Sequence, residues 1–115
     1  MQGRLGDNAR LQHILDAIAK IEAYITEQTF ESFEENSMML DACIRQLQII
    51  GEACNKVSKA LQEENQDVPW SQIIGLRIIV VHHYFGVDKR IIWDVVKKDL
   101  APLKAQVIRI IQTLE

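Results

Sequence analysis

The chain has 115 residues but no apolar run near the roughly 18–20 residues that a membrane-spanning helix requires. Its start, Met1-Gln2-Gly3-Arg4-Leu5-Gly6-Asp7, has neither an apolar core nor a small-residue cleavage site. No secretory signal is read there, and a cytoplasmic location is expected. Cysteine is scarce, limited to Cys43 and Cys54. Eleven residues along one helix return to nearly the same face but about 16 Å further on, beyond disulfide reach. Both are read as small buried hydrophobes in a reducing compartment. A His-Glu-x-x-His zinc motif, a phosphate-cradling glycine loop and a nucleophile elbow are all missing. None of His13, His82 and His83 has a glutamate three residues earlier, as helical di-metal sites require. Adjacent His82 and His83 would project about 100° apart on a helix, a poor geometry for one ion. No metal and no cofactor are expected.

What the chain does contain is an ordinary globular balance, 48% hydrophobic and 25% charged. One domain, 1–115, is expected, long enough to bury roughly two thirds of its unfolded surface. A net charge of −3 argues against a general nucleic-acid coat protein, though not against a local basic site. Arg77, Lys89, Arg90, Lys97 and Lys98 lie late in the chain and the glutamates Glu27, Glu31, Glu34, Glu35, Glu63 and Glu64 earlier. That asymmetry fits either a focused positive potential or a solvated helix surface.

Hydrophobic spacing reads as helix throughout. Asp7 or Asn8 is expected to cap a first helix bearing Leu11, Ile14, Leu15, Ile18, Ile21 and Ile25, with His13 at its boundary and Asp16 nearby. The polar segment 29–36 is anchored by Phe30 and Phe33. A second helix over 37–64 carries the seam Leu40, Ile44, Leu47, Gly51, Cys54, Ser58 and Leu61, in steps of four and three. Gly51 costs about 1 kcal/mol in mid-helix relative to alanine, so a close approach by another helix is expected there. Pro69 suits a first turn and opens a third helix over 70–84, for which a strand is the main competitor. Gly86 ends it and Asp88 caps a fourth over 89–98, bearing Ile92, Trp93, Val95 and Val96. Asp99 or Leu100 opens the last, with Pro102 in its first turn and the stripe Leu103, Val107, Ile110 and Leu114. The architecture predicted is all-α: an up-down antiparallel bundle of four long helices plus a short one.

Within the apolar run 73–85 stand Arg77, His82 and Tyr84. An unpaired charge in a small core costs several kcal/mol, roughly, so these heads belong at a wall or seam. On an ideal helix Arg77 and Tyr84 share a face, while His82 lies roughly 140° from Arg77. Convergence needs a loosening near Phe85-Gly86 or a second copy of the chain; a two-fold dimer is favoured.

Arg-x-x-x-x-His-x-Tyr at Arg77, His82 and Tyr84 resembles the signature of the HepT-like proteins of the HEPN superfamily. Ile49-Ile50-Gly51-Glu52-Ala53, Pro69-Trp70, Tyr84-Phe85-Gly86-Val87-Asp88, and Ile92-Trp93-Asp94 with Asp99-Leu100 resemble the family's usual surroundings. The resemblance runs from about Leu11 to Leu103. It implies an all-helical homodimer, the toxin of a bacterial toxin–antitoxin pair, whose partner is a minimal nucleotidyltransferase antitoxin. It further implies a metal-independent endoribonuclease, with RNA as substrate and Arg77 and His82 as catalytic residues in a dimer groove. His82 would act as general base or acid, and Arg77 would stabilise phosphoryl charge. Tyr84 is the implied acceptor of AMP groups that inactivate the toxin, and His83 an auxiliary cation. One departure is Ile78, where these ribonucleases often carry Asn or Asp after the motif arginine. The residues alone also fit a non-catalytic dimeric module, with Arg77 paired to a carboxylate such as Glu52, His82 at a subunit seam and Tyr84 a target of the nucleotidyltransferase.

Overall fold

The computed structural model describes residues 2–78 and 88–115. Helix α1, Gln2–Ile25, buries Leu11, Ile14, Ile18, Ile21 and Ile25, the stripe its spacing predicts. It begins earlier than expected, so neither Asp7 nor Asn8 is its N-cap. Asp7 is instead buried inside the bundle and accepts hydrogen bonds from Ser58 N (2.7 Å) and Ser58 Oγ (2.6 Å). Past α1, Thr29 opens α2, Phe30–Glu35, through a reciprocal capping box with Ser32. Phe33 is fully buried and meets Trp93 at 5.0 Å between ring centroids.

Helix α3, Ser37–Lys56, is capped by Asn36 and buries Leu40, Ile44, Leu47, Gly51 and Cys54 of the predicted seam. The single helix expected over 37–64 is divided. Val57 leaves helical geometry at φ −65°, ψ 138°. Ser58 then caps a separate α4, Lys59–Glu64, accepting from Leu61 N at 3.3 Å. The physical cause is the Asp7 carboxylate, which takes up the Ser58 amide and so provides what another helical turn would have supplied. Asn65 closes α4, and its carbonyl accepts from the Trp70 indole at 2.9 Å.

Helix α5, Trp70–Ile74, tightens into a 3₁₀ turn, Gly75–Ile78. Over these residues the strand competitor is excluded, and the helix expected over 70–84 passes from α to 3₁₀ geometry at Gly75; its positions 79–84 lie outside the described residues. Asp88 caps α6, Lys89–Asp94, by accepting from Arg90 N at 2.8 Å, as predicted. A wider π-helical turn, Val95–Asp99, follows and runs directly into α7, Leu100–Leu114. The two helices expected here are thus one continuous helical path. Pro102 accounts for the widening: it has no N–H to give the Lys98 carbonyl, and its ring crowds that carbonyl in a regular α turn.

Asp7 meets Ser58 at one end of α1, while Glu22 pairs with Lys104 toward the other (3.1 Å). Hence α1 runs antiparallel to both α3 and α7 and is the common wall of the core. The fold is all-α among the described residues, with α1, α3 and α7 as its long members. No helix among them is long and apolar enough to cross a membrane.

Candidate functional site

Gly51 organises the surroundings of Arg77. A Cβ placed on Gly51 would stand 2.7 Å from Arg77 N, 3.0 Å from the Ile74 carbonyl oxygen and 3.2 Å from Arg77 Cβ. The predicted close approach therefore exists, and it is made by main chain. Losing one methyl lets the 3₁₀ turn lie directly on α3, which fixes where Arg77 leaves the bundle. Arg77 itself is half-buried, and Ile78 beside it is 50% exposed. Ile78 spends no effort on the core, despite its apolar side chain.

His82, His83 and Tyr84 lie outside the described residues, as do Phe85 and Gly86. Of the sequence-predicted set, Arg77 alone is placed. The 140° separation between Arg77 and His82 assumed a regular α-helix; Arg77 itself sits in a 3₁₀ turn of about 120° per residue, and positions 79–82 lie outside the described residues. Among the described residues no ion pair joins Arg77 to Glu52 or to another carboxylate.

The late basic residues are largely engaged in packing. Lys89 Nζ donates to the Glu34 carbonyl at 3.1 Å. Arg90 lies 4.7 Å from the Phe30 ring centre and pairs with Asp94 at 3.5 Å. Lys97 stands 5.4 Å from the Trp93 ring centre. They tie α6 to α2 or cover its tryptophan, which favours the solvated, structural reading of that charge over a positive field aimed at Arg77.

Two concavities escaped the sequence reading. An apolar cavity of about 300 Å³ lies beside the Arg77 turn, lined by Ile73, Leu76, Val95, Leu100 and Leu103 with Asp99 at its edge. A second, of about 250 Å³, follows the α1–α3 seam and is lined by Arg10, His13, Arg45, Gln48, Glu52 and Lys56, among others. Only half of it could be read locally: Arg45 and Lys56 are eleven residues apart, the spacing that aligned Cys43 with Cys54, but Arg10 and His13 come from another helix. Both cysteines are free and buried, and burial pushes their thiols up to about 11 and about 12. No group of three or more metal-ligating side chains occurs among the described residues.

Residues 14–110 match the family model described as ribonuclease HepT-like. The chain is 37% identical over 105 residues to a Methanocaldococcus jannaschii protein named "Gamma-glutamylcyclotransferase and putative RNase", covering 91% of this chain and 47% of that one. It is 37% identical over 102 residues to a "Putative RNase" of Caldanaerobacter subterraneus, covering 89% of this chain and 91% of that one. A "Probable ribonuclease HepT" of Thermococcus cleftensis is 36% identical over 96 residues, covering 84% and 87% respectively. The chain thus spans about half the length of the first relative and most of the other two. No solved structure matches it.

Proposed function

The chain belongs to the ribonuclease HepT-like family, and we propose that it is a metal-independent endoribonuclease, the toxin of a cytoplasmic toxin–antitoxin pair. The reading rests on one observation above others: the family match spans the whole Arg77-x-x-x-x-His82-x-Tyr84 run. The absence of a carboxylate partner on Arg77 among the described residues supports it further, because a guanidinium left unpaired can serve an incoming phosphate.

In the reaction, an RNA 2′-hydroxyl attacks the adjacent phosphorus. A 2′-O–P bond forms, the bond to the 5′-oxygen breaks, and the products carry a 2′,3′-cyclic phosphate and a 5′-hydroxyl. His82 moves the proton, as base toward the 2′-hydroxyl or as acid toward the leaving oxygen, its ordinary pKa lying near neutrality. Arg77 offers paired donors to the phosphoryl oxygens as their charge grows. His83 adds a cation nearby. Two copies of the chain form the groove, and a minimal nucleotidyltransferase partner silences it by transferring AMP to Tyr84, whose anionic adduct competes for Arg77 by the logic of phosphorylation.

Ile78 favours a second reading. Half-exposed beside Arg77, it offers no hydrogen bond to an RNA, and a chain that cannot orient RNA would remain a dimeric binding partner and AMP acceptor. Incubation of purified protein with RNA separates the two. The ribonuclease reading expects cyclic-phosphate ends, undiminished by a chelator and lost in a folded His82→Ala variant. Equal cleavage by that variant removes His82 from the chemistry, and strict metal dependence overturns the mechanism. Incubation with the nucleotidyltransferase and ATP should add AMP mass at Tyr84; a tyrosine left unmodified removes that regulatory role.

A further inference from the structure

We propose that the cleft along the α1–α3 seam binds the sugar–phosphate backbone of single-stranded RNA, as an exosite to the chemistry at Arg77. The inference rests on the ribonuclease reading. Arg10 and His13 from α1 face Arg45, Gln48 and Lys56 from α3, so three fixed cations confront one carboxylate, Glu52. This local balance is opposite in sign to the chain, whose net charge is −3.

These cations are uncommitted, and they share one cleft. Elsewhere Lys104 is bound to Glu22, Arg109 to Asp67 and Arg90 to Asp94. Arg10, Arg45 and Lys56 form no ion pair among the described residues, although Glu52 shares their cleft. Among the described residues Arg45 Nη1 donates to Gln48 Oε1, at 3.1 Å, a contact that orients the Gln48 amide while the amide N–H groups remain available. Cations left unneutralised along one groove are the electrostatic footprint of a polyanion.

The groove also has a fitting length and chemistry. Arg45 and Lys56 lie about 16 Å apart along α3, room for a few nucleotides. Among the described residues no Phe, Tyr or Trp lines it, and His13 supplies the one ring, so most contacts go to phosphates and ribose hydroxyls rather than to stacked bases, and binding is largely insensitive to sequence. Glu52 on the cleft wall follows Gly51, which holds the Arg77 turn. A strand in the cleft is therefore held about one helix width from Arg77.

The test is binding of a 2′-O-methylated single-stranded RNA, which retains its phosphates but has no hydroxyl for internal attack. Affinity is measured against salt for the wild type, for Arg45→Gln/Lys56→Gln, and for Lys20→Gln/Lys98→Gln, an exposed pair outside the cleft with the same loss of charge. The cleft pair should flatten the log–log salt slope by about 1.4, since each phosphate contact to a single strand contributes about 0.7, while the control pair leaves it near wild type. An unchanged slope in the cleft pair overturns the assignment and leaves the cleft to an acidic protein surface. Equal flattening in both pairs also overturns it, by reducing the effect to net charge. Cleavage of unmodified RNA by the wild type is scored separately. Wild type that binds through the cleft without cutting defeats the ribonuclease reading and retains the cleft; wild type that cuts while the cleft pair binds normally does the reverse.

Discussion

Gly51 and Arg77 touch through their main chains, with the amide nitrogen of Arg77 only 2.7 Å from where a Cβ on Gly51 would lie. The neighbouring Ile74 carbonyl, at 3.0 Å, closes the other side. Neither atom belongs to a flexible side chain that could swing away.

Substituting alanine at Gly51 therefore inverts the usual helix rule. In an exposed helix interior the change would stabilise by about 1 kcal/mol; here overpacking should destabilise by about 1–3 kcal/mol. Urea unfolding of Gly51→Ala measures the sign. The same variant should cleave RNA more slowly even where it is fully folded, because the Arg77 turn is displaced. A variant as stable as the wild type would mean that the turn yields freely.

Asp7→Ala removes the acceptor for both Ser58 donors. The Ser58 amide and hydroxyl then lose a charge-assisted partner, at a cost of about 1.5–3 kcal/mol. Asp7→Asn keeps an acceptor and should fall between the two. Denaturation midpoints of the three proteins give the order, and equal midpoints for Asp7→Ala and wild type would discount the clamp.

The two thiols should resist alkylation in the folded protein at neutral pH. Burial raises Cys43 to about 11 and Cys54 to about 12, so almost no thiolate is present, and neither sulfur is accessible. Folding favours the protonated thiols. Their contribution is complete below the ordinary thiol pKa of 9.0 and is lost as pH rises toward about 11–12. Iodoacetamide labelling across a urea gradient should track global unfolding; rapid labelling of native protein at pH 8 would contradict the burial.

Trp93→Ala should cost about 3–5 kcal/mol. The indole contacts Phe33 and Phe30 and carries Lys97 on its face, so its loss frees α6 from α2 as well as opening a cavity. Thermal unfolding gives the magnitude, and a loss below 1 kcal/mol would show that α2 docks by other means.

Periodicity carried most of the fold. The stripes of α1, α3 and α7 were legible because each is a long amphipathic pattern whose apolar residues have a single place to go. The caps at Ser58 and Asp7 were not, because Asp7 acts across 51 residues of chain and local rules can assign it only to its own helix. The π-helical turn was hidden for a related reason: Pro102 was correctly assigned to a first turn, but its demand on the Lys98 carbonyl reaches back into the preceding turn. At the candidate site, Gly51 was readable as a close approach, whereas its counterpart could not be named from spacing alone. The α1–α3 cleft stayed invisible because its cations come from two helices, and only antiparallel packing sets Arg10 opposite Lys56.

Anchoring Arg77 by its peptide unit has a consequence for descent with modification. Peptide nitrogens are the same in every residue but proline, and of the side chain only Cβ is among the atoms nearest Gly51, so the scaffold asks little of what lies beyond Cβ at position 77. Copies of this architecture can shed the guanidinium, and with it the role proposed for it on a phosphoryl group, while keeping their shape.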